Sequence, residues 1–138
     1  MNIKLFIATK AFIKYRGKIL IIKESNKYTE GTNVGKFDVP GGRIKPGQKF
    51  DESLLREIKE ETGLEVIIGQ PFFANEWRPM VKEEQWQVVG MFFECESATD
   101  KITLSKDHDE YLWIDPTNYK KYNLIANLQP AFEAYLKK

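Results

Sequence analysis

Glu57, Glu60 and Glu61 stand at i, i+3 and i+4. On an α-helix that spacing brings three carboxylates to one face, roughly 5–6 Å apart at Cβ. Like charges so placed repel one another and weaken the helix unless a cation neutralises them. A divalent ion would do so, and an all-oxygen ligand set suits Mg²⁺ or Mn²⁺. A solvated acidic face on an amphipathic helix has the same spacing. Ahead of the glutamates runs Pro40-Gly41-Gly42-Arg43-Ile44-Lys45-Pro46-Gly47. Glycines let backbone approach a ligand closely, so their carbonyls can join a coordination shell; they also serve an ordinary tight turn. Arg43 and Lys45 bring positive charge to where a polyphosphate beside the ion would lie.

The elements that must hold these residues are legible from period and punctuation. Residues 3–13 and 18–23 are rich in Ile, Phe and Leu and are separated by Tyr15-Arg16-Gly17-Lys18, which reads as two strands and a turn. Residues 24–36 read as a loop, and Phe37-Asp38-Val39 as a short strand stopped by Pro40-Gly41-Gly42. From Asp51 to Thr62 the period becomes helical, with Leu54, Leu55 and Ile58 on the apolar face, Asp51 as N-cap and Gly63 as left-handed C-cap. Apolar runs at 65–73, 86–95 and 110–114 read as strands. Leu124, Ile125, Leu128, Phe132, Tyr135 and Leu136 predict a terminal helix covering one sheet face. That order implies an α+β fold, a mixed α/β/α sandwich.

Composition narrows the function. A chain of 138 residues, 42% hydrophobic and 30% charged, fits one globular domain over residues 1–138. The net charge of +1 disfavours a polymeric nucleic acid partner but leaves room for a small phosphorylated ligand. Apolar runs such as Ile19-Leu20-Ile21-Ile22 are too short to span a bilayer. The first ten residues lack a signal-peptide pattern and Cys95 is the sole cysteine, so a cytoplasmic protein with a buried, inert thiol is expected.

Between Gly42 and Leu64 the chain resembles the signature of Nudix hydrolases, G-x5-E-x7-R-E-U-x-E-E-x-G-U, where U is a bulky aliphatic residue. It supplies Gly42, Arg56-Glu57-Ile58, Glu60-Glu61 and Gly63-Leu64 at the required spacing, and departs only at Gln48, where the signature has Glu. The resemblance implies the Nudix fold, a central mixed β-sheet between helices. It also implies hydrolysis of the pyrophosphate in a nucleoside diphosphate linked to another group. It assigns Glu57 and Glu61 as main ligands of Mg²⁺ or Mn²⁺, Glu60 as sharing an ion or acting through water, and the Gly41 carbonyl as completing the shell. Arg56 would orient a glutamate, although a surface pair with Glu60 fits equally. Members place a further carboxylate before the last strand; Asp107 fits that place best and Glu110 second, as ion ligand or general base. His108, beside them, is assigned no role.

Trp77 and Arg78 on one side and Trp86 on the other flank an expected loop over residues 79–85, near where members often hold the base. Aromatic faces stack nucleobases, and each Trp also suits core or rim packing. A compact MutT-like triphosphate pyrophosphatase suits the length, while Pro79 resembles ADP-ribose-cleaving members. With Gln48 in place of Glu, a catalytically weakened nucleotide sensor is the alternative. A small-molecule nucleotide substrate, no membrane, and a monomer or homodimer complete the expectations.

Overall fold

The computed structural model describes residues 2–26 and 33–138. The strands are β1 (Ile3–Tyr15), β2 (Lys18–Glu24), β3 (Phe37–Asp38), β4 (Gly41–Arg43), β5 (Val66–Trp77), β6 (Met80–Val81), β7 (Glu84–Ser97) and β8 (His108–Ile114). Helix α1 (Phe50–Thr62) follows β4, and a short 3₁₀ helix (Pro116–Lys121) leads towards α2 (Leu128–Leu136). The strands join one mixed sheet in the order β3-β2-β1-β7-β5, with β4 also on β1, β6 on β7 and β8 on β2. β1 runs parallel to β7 and antiparallel to β2 and β4.

Both faces of β1 are covered at its centre, which is why Ala8 to Ile13 are all buried rather than alternating. Period two then sorts them between layers. Phe12 packs with Phe92, Leu128 and Phe132 on the α2 side, whereas Ala11 and Ile13 pack with Leu54, Ile58 and Phe93 on the α1 side. Helices on opposite faces of one mixed sheet make the expected sandwich. The β1–β2 turn forms at Arg16 and Gly17, both with positive φ, and Cys95 is buried with its thiol pushed up to about 12 by desolvation.

Four local expectations change. α1 begins at Phe50, so Lys49 is the N-cap and makes no side-chain bond; Asp51 falls inside the first turn and accepts from the Glu52 N–H at 2.8 Å. Leu55, about 100° round from Leu54, is 40% exposed; Ser53 and Thr62 are buried with Leu54 and Ile58 instead. Leu124 and Ile125 precede α2 rather than belonging to it. Leu124 bridges to Phe37, and the Ile125 N–H donates to the Phe37 carbonyl, so sheet pairing outcompetes helix there. The stretch 79–85 is mostly a hairpin, β6 pairing with β7 across Lys82 and Glu83, both at positive φ. Part of the expected 24–36 loop, residues 27–32, lies outside the described residues.

No helix is long and apolar enough to cross a membrane among the described residues.

Candidate functional site

The site is built where β4 delivers the chain to α1. Gly41 has φ of 147°, and a Cβ there would stand 2.1 Å from the Thr9 carbonyl oxygen, so only glycine lets β4 lie this close to β1. That closeness sets the next residue against the helix. A Cβ on Gly42 would lie 2.9 Å from the Glu57 carboxyl carbon, and the Gly41 N–H donates to Glu61 Oε1 at 2.9 Å. At the other end Gly63 closes α1 in the left-handed conformation, its N–H donating to the Lys59 carbonyl.

Glu57 and Glu61 are half-buried and Glu60 is exposed. Burial raises the Glu61 carboxyl to about 8, against the opposing pull of Lys10 and the Gly41 amide. Burial also raises Glu57, with Arg56 opposing and Glu60 adding to the rise. Arg56 reaches both neighbours: Nη2 lies 3.3 Å from Glu57 Oε1 and Nη1 3.3 Å from Glu60 Oε1. Among the described residues no three Asp, Glu, His or Cys side chains converge tightly enough to grip a metal ion as they stand. Like charges explain that, since each carboxylate turns to a protein donor instead of to its neighbours. The donor chemistry nonetheless fits a hard divalent cation: three carboxylates, two of them desolvated, beside a backbone that glycine lets approach.

These residues line a cavity of about 600 Å³ together with Arg43, Lys45, Ser105, Asp107 and His108. Asp107 faces it from the loop before β8, anchored by its carbonyl, which accepts from the Ser25 N–H at 2.8 Å. Glu110, the second choice for that role, points elsewhere and pairs with Lys23 at 3.0 Å. His108 lies 3.4 Å from Ser105 Oγ, and burial lowers its ring below the ordinary histidine range. Gln48 does not line the cavity: its Oε1 accepts from the Lys45 N–H at 2.9 Å, closing the 45–48 turn.

A second cavity of about 610 Å³ adjoins the first and shares Lys10, Glu24, Asp38, Gly42 and Arg43 with it. Its own walls include Trp77, Arg78, Trp86, Val88, Ile125 and Asn127. Trp77 lies flat on β7, because a Cβ on Gly90 would meet its ring at 2.3 Å. Arg78 is held by Glu76 at 2.6 Å at the rim. The Arg43 guanidinium sits 4.5 Å from both the Phe6 and the Trp86 ring centroids, stacked in place between the two cavities.

The candidates read from the sequence therefore line one cavity or the other, apart from Glu110, which turns to Lys23, and Arg56, which acts on Glu57 and Glu60 from outside. Sequence reasoning missed Lys10, Asp38 and Glu24. The signal available was a charged residue inside the apolar run Ile7-Ala8-Thr9-Lys10-Ala11-Phe12-Ile13, where a strand covered on both faces has no solvent to offer it.

The family model described as NUDIX domain matches residues 6–135. The nucleoside triphosphatase NudI of Klebsiella pneumoniae (strain 342) is 30% identical over 103 residues, covering 70% of this chain and 73% of the relative. Its namesake in Escherichia coli (strain K12) is 26% identical over 119 residues, 81% and 83% of the two chains. Among solved structures, the MutT protein of Methanosarcina mazei Go1 superposes with a TM-score of 0.86 at 25% identity, covering 99% of this chain and 96% of that one.

Proposed function

Since the chain belongs to the Nudix family, we propose that it hydrolyses a nucleoside triphosphate to a nucleoside monophosphate and pyrophosphate, in a reaction supported by Mg²⁺ or Mn²⁺. The observation that carries this reading is the joining of two cavities, one lined by the carboxylates of α1 and the other by Trp77 and Trp86. A polyphosphate lies in the first while its base lies in the second. The nucleoside triphosphatase names of the relatives favour a triphosphate over ADP-ribose.

Glu57, Glu60 and Glu61, with backbone at Gly41, would hold the ion. Bound there, it supplies an activated water and neutralises charge as the P–O bond breaks. Arg56 positions Glu57 and Glu60. Arg43 and Lys45 bind the phosphate oxygens, Arg43 with its plane already fixed by two rings. Asp107, facing α1 across the cavity, takes the proton of the attacking water. Trp77 and Trp86 flank the base, with Arg78 at the mouth.

Purified protein assayed with nucleoside triphosphates, ADP-ribose, nucleotide sugars and dinucleoside polyphosphates across a Mg²⁺ and Mn²⁺ titration tests the reading. Metal-dependent release of a monophosphate from a triphosphate is expected. Measurable nucleotide binding by calorimetry without turnover of any compound would replace the enzyme with a sensor.

A further inference from the structure

The wall shared by the two cavities holds an ion pair that the reaction as described does not use. Lys10 Nζ lies 2.8 Å from Asp38 Oδ2, and the two side chains are only 10% and 28% exposed. Asp38 Oδ1 also accepts from the Val39 N–H at 2.7 Å, which fixes the plane of the carboxylate. Burying a lysine and an aspartate costs desolvation that their mutual attraction repays only in part, so the pair is weak as a device for stability alone. Both residues face the two cavities, with Glu24 beside them.

We propose that Lys10 and Asp38 read the hydrogen-bonding edge of the substrate's nucleobase, and so set which bases the protein accepts. This rests on the functional reading above, which puts the base in the cavity of Trp77 and Trp86. Charge argues for the base rather than the phosphates. Lys10 is paired with Asp38 and its remaining pull falls on Glu61, while Glu24 adds no positive charge, so this wall offers a phosphate little. It offers a neutral dipolar edge a donor and an acceptor side by side. A base edge presents the complement, an acceptor next to a donor. Elsewhere Ala8, Val81, Val88, Ile125 and the two tryptophans line much of this cavity with apolar surface, which can hold a ring but cannot tell one edge from another.

The double substitution Lys10→Met with Asp38→Asn tests the proposal. It removes both charges together, leaving no uncompensated buried ion, and thermal melting checks that it folds. Parent and variant are assayed for kcat/KM on ATP, GTP, CTP and UTP. They are assayed also on triphosphates of benzimidazole and phenyl nucleosides, which keep ring shape and phosphates but lack a pairing edge. The parent should favour its best natural nucleotide over the matching edgeless analogue by at least about tenfold, and the variant should lose that preference. If the first variant does not fold, Lys10→Gln with Asp38→Asn keeps a hydrogen bond between the two side chains. Its order of preference among the four natural nucleotides should then differ from the parent's. Equal loss on natural and edgeless substrates would assign the pair to the phosphates and overturn the proposal, as would an unchanged preference. A parent that cleaves no nucleotide would overturn the functional reading itself.

Discussion

At the residue scale, Glu61 combines a helix position with a desolvated carboxyl raised to about 8. Glu61→Gln keeps an oxygen for the Gly41 amide but removes the charge an ion would need. Turnover should fall by at least about a hundredfold. Melting in EDTA at pH 8.5 should stay level or rise, because the buried charge and its repulsion from Glu57 are gone. Wild-type rates at limiting metal would remove Glu61 from the site. Gln48 leads to the opposite expectation. Its carbonyl caps the Lys45 amide, a bond that a glutamate makes equally well, and it lies outside both cavities. Gln48→Glu should leave the Mg²⁺ and Mn²⁺ dependence of turnover within about twofold of the parent. The helix glutamates were legible because helical period alone aligns them. Lys10 carried a signal as a charge inside an apolar run, but its partner Asp38 did not, because the fold brings together residues 28 apart in sequence on strands that do not pair with each other.

At the element scale, the two glycines of β4 separate folding from function. Gly41→Ala drives a Cβ into the Thr9 carbonyl, where neither strand can yield, and should cost more than about 2 kcal/mol in chemical denaturation. Gly42→Ala meets only the mobile end of Glu57. It should melt within a few degrees of the parent while losing at least about tenfold in kcat/KM, as the displaced carboxylate misaligns. Equal damage from both would mean that Glu57 is held by more than its fit against Gly42. Strands and α1 were readable because pattern and propensity agreed within each. The start of α2 was not, since Leu124 and Ile125 continue the helical spacing but find sheet partners at Phe37. Nor was the cap of α1, where Phe50 stacks on Phe93 at 5.4 Å and extends the helix past Asp51.

At the scale of the whole molecule, the buried carboxylates couple folding to pH and to metal. An unfolded Glu61 titrates near 4.5 and the folded one near 8, so between those values the folded chain holds the extra proton. Stability from this group is therefore complete below about pH 4.5 and is lost as pH rises through about 8. Glu57 shifts in the same direction and adds to the slope. Metal-free protein should accordingly melt lower at pH 8.5 than at pH 6. A divalent cation that binds where the proton sat restores what was lost, because a ligand of the folded state stabilises it by mass action. The rise in melting temperature on adding Mg²⁺ or Mn²⁺ should be larger at pH 8.5 than at pH 6. Calorimetric binding at pH 7, in buffers of different ionisation enthalpy, should show proton release that Glu61→Gln diminishes. A metal-induced rise of equal size at both pH values, with no proton release, would separate the ion from Glu61 and leave the carboxylate face of α1 an electrostatic surface rather than a coordination site.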